Sequence, residues 1–352
     1  MNDKIKGALV GAAAGDAMAS ATDGKSYGEI VDLYGGPVRD FIKPDRDTFS
    51  GDREAAQFTD AFSIPYFLIK GIIENGGRID RQLGVDTLRA WGGSEYFRFA
   101  GMTTKKVVNA LNETTTNDMW AYSGHLGNKL FKGHYYALSS NGSACKAFPL
   151  GLINPENPER AIKDAIEITM TSHDDPLSLS GAGAVAAAVA ECFSPNATVF
   201  SVVQTAIRAA DEAKAIGDKT DDIWDYPGPS TARRLEYAQQ IAVKFRKNAA
   251  AELKDIIGCG PEVAETVPTA LGLVIAHKEE PLEAFFDAVN LGDETCALAA
   301  VTGAIIGALH GSGIFPESWE RVINEANGTD LGETAEDLTA IAEQRMKDAH
   351  CV

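Results

Sequence analysis

Apolar residues recur along this chain at the three- and four-residue spacing of amphipathic helices. The spacing is clearest over five stretches, residues 161–169, 199–214, 230–247, 281–289 and 298–309. The alternation of apolar and polar residues that marks a half-buried strand is almost absent. Clusters of Gly, Pro and Asn break the helical pattern, and none is long enough to link two domains. The pattern predicts one compact all-α domain over residues 1–352.

Three of the predicted helices are unusually rich in Gly and Ala, namely residues 7–19, 181–190 and 299–311. Because small side chains let helix backbones approach closely, we expect these three helices to pack together at the centre of the fold. The longest apolar runs are also shorter than the ~20 residues that a membrane-spanning helix needs. The N-terminal apolar stretch runs directly into Gly15 and Asp16, and we interpret it as a first helix and not as a signal peptide.

The composition argues against several classes of partner. The chain has 50 acidic residues against 32 Lys and Arg, with a net charge of −18. Nucleic-acid polymers and anionic membrane surfaces are bound through Lys and Arg, so neither is an expected partner. The five cysteines are widely spread and contain no CxxC pair, so we expect neither a disulfide framework nor a structural zinc site. These features together predict a soluble, cytoplasmic protein. They do not exclude small phosphorylated ligands, because backbone N–H groups and helix N-termini can bind these locally.

Carboxylates accompanied by a hydroxyl lie at three predicted helix boundaries. Asp23 follows the first helix, Thr59 and Asp60 precede an apolar helix, and Glu294 precedes the third Gly/Ala-rich helix. Each group taken singly is typical of a helix cap or a solvated turn. If the three boundaries converge, these residues form an oxygen-rich site suited to a hard cation such as Mg²⁺.

Two polar segments could contact a ligand. Asn141, Gly142 and Ser143 lie in a turn ahead of a short helical segment, and their backbone N–H groups could cradle an anion. A plain turn is the alternative interpretation. His173 comes just before the second Gly/Ala-rich helix, where it could either contact a ligand or help to cap that helix.

The segment 119–136 is rich in aromatic residues and includes Trp120, Tyr122, Tyr135 and Tyr136. One interpretation is a small hydrophobic cluster under a loop. The other is a lid that stacks on a planar group of a ligand, because aromatic faces pack well against flat rings.

Seven motifs follow one another along the chain, and they are GALVG through GDAM (7–18), FTDAFS (58–63), GMTT (101–104), NGSACK through PLG (141–151), SH (172–173), ETVPTA (265–270) and NLGDETCA (290–297). In content and order they resemble the motifs of the ADP-ribosylglycohydrolases, which include the dinitrogenase reductase-activating glycohydrolases. Because they span nearly the whole chain, it is identified as a member of this family. The resemblance implies a compact, single-domain orthogonal bundle of helices with two Mg²⁺ ions at its centre. It also implies hydrolysis of the glycosidic bond at C1′ of an ADP-ribosyl group.

The resemblance places metal ligands on four residues of this chain, Asp23, Thr59, Asp60 and Glu294. Three other ligand positions of the family carry Ala61, Cys296 and Ala297 here. Alanine supplies no ligand, and a thiol suits soft metals and not Mg²⁺. These substitutions argue against a site with two magnesium ions. One metal on the four retained residues, or no metal, remains open.

The sequence thus predicts a hydrolase that cleaves the N-glycosidic bond at C1′ of a ribosyl compound, either a nucleoside or an ADP-ribose-like molecule. The predicted catalytic carboxylates are Asp60, Glu294 and Asp23, as a general base or as groups that stabilise an oxocarbenium ion. The predicted substrate-binding residues are Asn141, Gly142, Ser143, His173, Gly101, Thr103, Trp120 and Tyr122. One alternative is a magnesium-dependent ADP-ribosylglycohydrolase. The other is a ligand-binding or structural protein without catalysis, which the loss of carboxylates at positions 61 and 296 favours.

Overall fold

The computed structural model describes residues 1–113, 139–220, 223 and 227–350. Within these ranges the chain is helical and contains no β-strand, and an isolated bridge pairs Ser140 with Glu262. The all-α prediction is confirmed. No helix in the described part of the chain combines the length and the apolar character needed to cross a membrane.

The first eight α-helices are α1 (Asn2–Ala19), α2 (Tyr27–Tyr34), α3 (Asp60–Glu74), α4 (Arg81–Gly92), α5 (Met102–Glu113), α6 (Gly142–Cys145), α7 (Phe148–Leu152) and α8 (Pro158–Thr169). The others are α9 (Pro176–Glu191), α10 (Val199–Gly217), α11 (Thr231–Phe245), α12 (Ala249–Ile256), α13 (Val263–Ala276), α14 (Pro281–Asn290), α15 (Thr295–His310), α16 (Ser318–Asn327) and α17 (Leu331–His350). Short 3₁₀ helices cover Glu95–Phe99, Arg246–Asn248 and Ser312–Ile314.

The five stretches with clear helical spacing all fall on α-helices, and one of them was predicted too long. The predicted stretch 230–247 becomes α11, which ends at Phe245. Arg246 has a φ of 46°, in the left-handed region, so the α-helix cannot continue through it. Polar caps set the starts of other helices. The Asp175 carboxylate, just ahead of α9, accepts from two backbone N–H groups in the first turn of that helix.

The two helices α1 and α15 pack backbone to backbone along their length. Gly7 faces Gly307, Gly11 faces Gly303, and Gly15 faces Ala299, so a side chain at any of these glycines would clash with the opposite backbone. Because residue numbers rise on one helix as they fall on the other, the two helices are antiparallel. The end of α1 therefore lies beside the start of α15.

The second Gly/Ala-rich helix, α9, does not join this close pair along its length, contrary to the expectation for all three. Its Gly183 faces Ala213 of α10, and its Gly181 faces Val263 of α13. Cys192, just after α9, reaches the backbone of α15, with 3.8 Å between its Sγ and the Ile305 carbonyl oxygen. The small residues of α9 thus serve close packing against neighbours other than α1.

Candidate active site

A cavity of about 530 Å³ opens where α1 ends and where α3 and α15 begin. The predicted site residues that line it are Asp23, Thr59, Asp60, Gly101, Thr103, Asn141, Gly142 and Glu294. The three acidic helix boundaries therefore meet in one cavity. Their convergence follows from the antiparallel pairing of α1 with α15 and from the attachment of α3 to α1.

Asp16 makes that attachment, and the sequence analysis did not single it out as a site residue. It is fully buried in α1, and its Oδ2 accepts hydrogen bonds from the backbone N–H groups of Thr59 at 2.8 Å and of Phe62 at 3.0 Å. Its Oδ1 accepts from the Thr59 hydroxyl. Burial raises the pKa of Asp16 to about 6, although these hydrogen bonds oppose the rise. An acid inside a Gly/Ala-rich helix was the available signal in the sequence.

Asp23 is held against the first turn of α15. Its Oδ1 accepts from the Cys296 backbone N–H at 3.1 Å and from the Thr295 hydroxyl at 3.5 Å. Burial raises the pKa of Asp23 to about 6, and the charge of Asp16 adds to the rise. The carboxylate thus occupies the positive end of the α15 dipole, where an anion is stabilised.

The other two acids of the cavity hold protons unusually well. Burial raises the pKa of Asp60 well above its ordinary value, and the negative charges of Asp16, Asp23 and Glu294 raise it further. Burial also raises the pKa of Glu294 to about 7, with Asp23 contributing. The cluster therefore carries fewer charges than carboxyl groups near neutral pH, so it can both accept and release protons.

The turn that begins at Asn141 forms another wall of the cavity. Its backbone is fixed by the Asn141 N–H, which donates to the Pro261 carbonyl at 2.8 Å. The Asn141 side chain is 8% exposed, and its Nδ2 makes no hydrogen bond of normal length among the described residues, but the side chain lies near enough to the Glu294 carboxyl group to oppose the rise in that group's pKa. A buried amide donor beside a carboxyl group at a cavity wall is suited to an oxygen atom of a ligand.

Two of the predicted substrate-binding residues do not line the cavity. Ser143 is buried and donates its hydroxyl to the Ser140 carbonyl at 2.8 Å. His173 lies behind Ser140, which itself lines the cavity, and their Nε2 and Oγ atoms are 2.7 Å apart. Trp120 and Tyr122, together with the rest of the predicted aromatic lid, lie outside the described residues.

Ala61, Cys296 and Ala297 line the same cavity as the acids, so the substituted positions face the site. Cys145 joins them in the wall. Burial raises the pKa of both thiols well above the ordinary value, and the neighbouring carboxylates add to the rise, so both remain neutral. In the part of the chain that the structure describes, no group of three or more His, Cys, Asp or Glu side chains is arranged to hold a metal ion.

An aromatic residue that the sequence analysis missed lies at the mouth of the cavity. The Phe49 side chain is 63% exposed, and its ring makes an edge contact with the buried Phe99, with centroids 5.8 Å apart. The Lys105 ammonium lies 5.9 Å from the centre of the Phe49 ring. Met102 is also exposed and lines the cavity beside it. This apolar rim borders the cavity that Asp23, Asp60 and Glu294 share.

Asp174, next to His173, is predicted to make stability depend on pH. It is fully buried, neither carboxyl oxygen has a hydrogen-bond partner among the described residues, and burial raises its pKa to about 8. The folded state keeps this proton while the unfolded chain releases it above its ordinary pKa, so the free energy of unfolding falls as the pH rises toward 8. Urea unfolding at pH 5 and pH 8 should show Asp174→Asn reducing that fall by ~3 kcal/mol. An unchanged fall would mean that Asp174 finds a partner in solution.

Comparison with known proteins agrees with this architecture. The family model described as ADP-ribosylglycohydrolase matches residues 1–348. A solved structure named as an ADP-ribosylglycohydrolase-related protein complex has the same fold, with a TM-score of 0.65 and 18% identity over 97% of this chain and 98% of that one.

Three curated relatives match over most of their length. The Escherichia coli K12 protein YegU, named as uncharacterised, is 26% identical over 97% of this chain and 98% of its own. An uncharacterised protein of Archaeoglobus fulgidus is 25% identical over 91% of each chain. ADP-ribosylarginine hydrolase Tri1 of Serratia proteamaculans is 23% identical over 94% of this chain and 78% of its own. Because the family model matches residues 1–348, which is almost the entire chain, the chain belongs to the ADP-ribosylglycohydrolase family.

Proposed function

We propose that this chain hydrolyses the N-glycosidic bond at C1′ of a nucleoside-like ribosyl compound. Family membership supports glycosyl hydrolysis in general. The observation that carries the narrower proposal is the meeting of Asp23, Asp60 and Glu294 in one cavity that the buried Asn141 also lines. A cavity of about 530 Å³ is large enough for a small ligand such as a nucleoside.

The carboxyl groups of the cavity would act on the ribose, by stabilising charge at C1′ and by activating the attacking water. Cleavage at C1′ passes through a transition state with oxocarbenium character, whose positive charge nearby carboxylates stabilise. Glu294 has a pKa of about 7, so it accepts a proton from an attacking water near neutral pH. Asp60, whose pKa is also raised well above its ordinary value by burial, is the alternative base. Asp23 holds the α15 end of the cluster in place.

The donor set does not fit the pair of Mg²⁺ ions that the family implies. Ala61 and Ala297 offer no ligand, and Cys296 offers a neutral thiol. The Thr59 hydroxyl is already bonded to Asp16, and an Asp23 oxygen is bonded to the α15 backbone. We therefore propose a reaction in which these carboxylates act without two metal ions.

A panel of substrates in the presence of EDTA or of Mg²⁺ separates this proposal from its alternatives. The purified chain would be incubated with inosine, uridine and ADP-ribosylarginine, and the released base, ribose or ADP-ribose measured by chromatography. We expect nucleoside hydrolysis that EDTA does not abolish. Release of ADP-ribose only with Mg²⁺ would instead indicate an ADP-ribosylglycohydrolase. No turnover of any compound, with a ligand-induced rise in melting temperature, would indicate a binding protein.

Phe49 is expected to stack on the base of the substrate. Base–aromatic stacking contributes ~1–3 kcal/mol per base, so Phe49→Ala should raise KM about tenfold and leave kcat nearly unchanged. Steady-state kinetics on the hydrolysed nucleoside measures both constants. Phe200→Ala is the matched control, because Phe200 is also an exposed phenylalanine but lines a different surface pocket. A KM that stays at the wild-type value in Phe49→Ala would remove Phe49 from the binding site.

A further inference from the structure

A chain of hydrogen bonds runs from the cavity wall into the protein interior through Ser140, His173 and Lys146. We propose that these three residues relay a proton to the leaving group when the glycosidic bond breaks. This inference rests on the proposed function, since it concerns the leaving-group side of the same reaction. It assigns the general acid of the reaction, whereas the carboxylate cluster supplies the general base.

The geometry of the chain is continuous. Ser140 lines the cavity, and its Oγ lies 2.7 Å from His173 Nε2. On the other side of the imidazole, Nδ1 lies 3.2 Å from Lys146 Nζ and 2.8 Å from Ser172 Oγ. Lys146 also donates to Ser172. His173 and Lys146 are 1% and 4% exposed, so Ser140 is the member of the chain that meets the cavity.

The donor inventory fixes the direction of the relay. A protonated lysine has three donors and no acceptor, so His173 Nδ1 accepts from Lys146 and Nε2 carries the imidazole hydrogen. Nε2 then donates to Ser140 Oγ, and the hydroxyl hydrogen of Ser140 remains available for an acceptor in the cavity. This tautomer is the one that delivers a proton outward.

The surroundings of Lys146 allow it to release a proton. It makes no ion pair with any described residue, and burial lowers its pKa to about 7. The groups nearest to it are Cys145 on its own segment and His173, whose pKa burial and the Lys146 charge hold well below the ordinary value. The charges of Asp60 in α3 and of Glu294 before α15 raise the pKa of the adjoining Cys145. Lys146 thus carries its proton below about pH 7 and loses it above.

The proton transfers balance over the reaction. As the C1′–N bond breaks, its electron pair stays on the leaving nitrogen, which takes the Ser140 hydroxyl proton. Ser140 takes the proton of His173 Nε2, and Nδ1 takes one from Lys146. Water adds to C1′ and gives its proton to Glu294 or Asp60. Lys146 and the carboxylate return to their starting states by exchange with solvent after product release.

The relay requires a residue at position 146 that can release a proton. A lysine, and not an arginine, occupies position 146 of the NGSACK segment. An arginine is protonated at all accessible pH values and cannot act as a proton donor, whereas a buried lysine can. Lys146→Arg therefore keeps the charge and removes the releasable proton.

Two ribosides whose leaving groups differ in their need for a proton test the relay. Inosine requires protonation of its leaving base, and 4-nitrophenyl β-D-ribofuranoside does not. Ser140→Ala and Lys146→Arg should each lower kcat/KM on inosine by roughly 10²-fold or more and change it little on the nitrophenyl riboside. In the wild type, the inosine rate should fall above about pH 7, and the nitrophenyl rate should not. Lys146→Arg should lack that fall.

Ser139→Ala is the matched control, because the Ser139 hydroxyl bonds to Glu262 and lies outside the relay. It should leave the ratio of the two rates unchanged, and melting temperatures should confirm that each variant is folded. Equal losses on both ribosides in the relay variants, or no loss on inosine, would overturn the relay. Failure of the wild type to hydrolyse either riboside would overturn the proposed function itself.

Discussion

Asp60→Asn should lower kcat/KM for a hydrolysed nucleoside by roughly 10²–10⁴-fold and leave the protein folded. The amide keeps the shape of the carboxyl group but can neither accept the proton of water nor stabilise a positive charge at C1′. Burial and three neighbouring acids disfavour the charged form of Asp60, so its removal should not lower the melting temperature. Glu294→Gln should have the same effect for the same reason.

Asp293→Asn is the control for these two variants. Asp293 adjoins Glu294 in the chain, is exposed, and has a φ of 63°, a conformation that asparagine tolerates well. It does not line the cavity, and its charge contributes to the raised pKa of Glu294, so its replacement should lower that pKa and change kcat/KM by no more than a few-fold. Wild-type rates in both Asp60→Asn and Glu294→Gln would mean that the carboxylate cluster is not the catalytic site.

Gly303→Ala should destabilise the protein by ~3 kcal/mol or more, because the added methyl group meets the backbone of Gly11 on α1. A flexible side chain could move aside, but a helix backbone packed on both sides cannot. Because the α1–α15 pair also brings Asp23 next to Glu294, activity should fall together with stability. Urea unfolding measured by circular dichroism gives the free energy directly.

Gly28→Ala provides the comparison in an unpacked helix. Gly28 lies in α2, and a methyl group there would meet nothing within 4 Å. Alanine is favoured over glycine in helices, so this variant should be neutral or gain ~0.5–1 kcal/mol. Equal stabilities of the two variants would show that α1 and α15 are further apart than described.

The sequence predicted the helices well because their apolar spacing is local. It predicted the packing of those helices less well. All three Gly/Ala-rich helices looked alike in composition, yet α1 pairs with α15 while the glycines of α9 face α10 and α13. Which small faces meet depends on contacts between residues far apart in the chain. The end of α11 was missed because it depends on the backbone conformation of Arg246.

The residues of the candidate site also fall into those that local sequence could identify and those that it could not. Asp23, Asp60 and Glu294 could be selected because each accompanies a hydroxyl at a predicted helix boundary. Asp16 offered one local signal, an acid inside a Gly/Ala-rich helix, but its role depends on Thr59, which is distant in sequence. Phe49 offered no such signal, because its role depends on its place at the cavity mouth. The contact between Ser140 and His173 joins two polar segments that the sequence offered only as separate candidates.

The central claim is that the carboxylate cluster hydrolyses an N-riboside without two metal ions. The most direct test measures release of ribose and free base from inosine and from uridine in excess EDTA, for the wild type and for Asp60→Asn side by side. The account predicts equimolar ribose and base from at least one nucleoside with the wild type, and a loss of roughly 10²-fold or more with Asp60→Asn. Release that stops in EDTA and returns with Mg²⁺, or that is the same in both proteins, would contradict it.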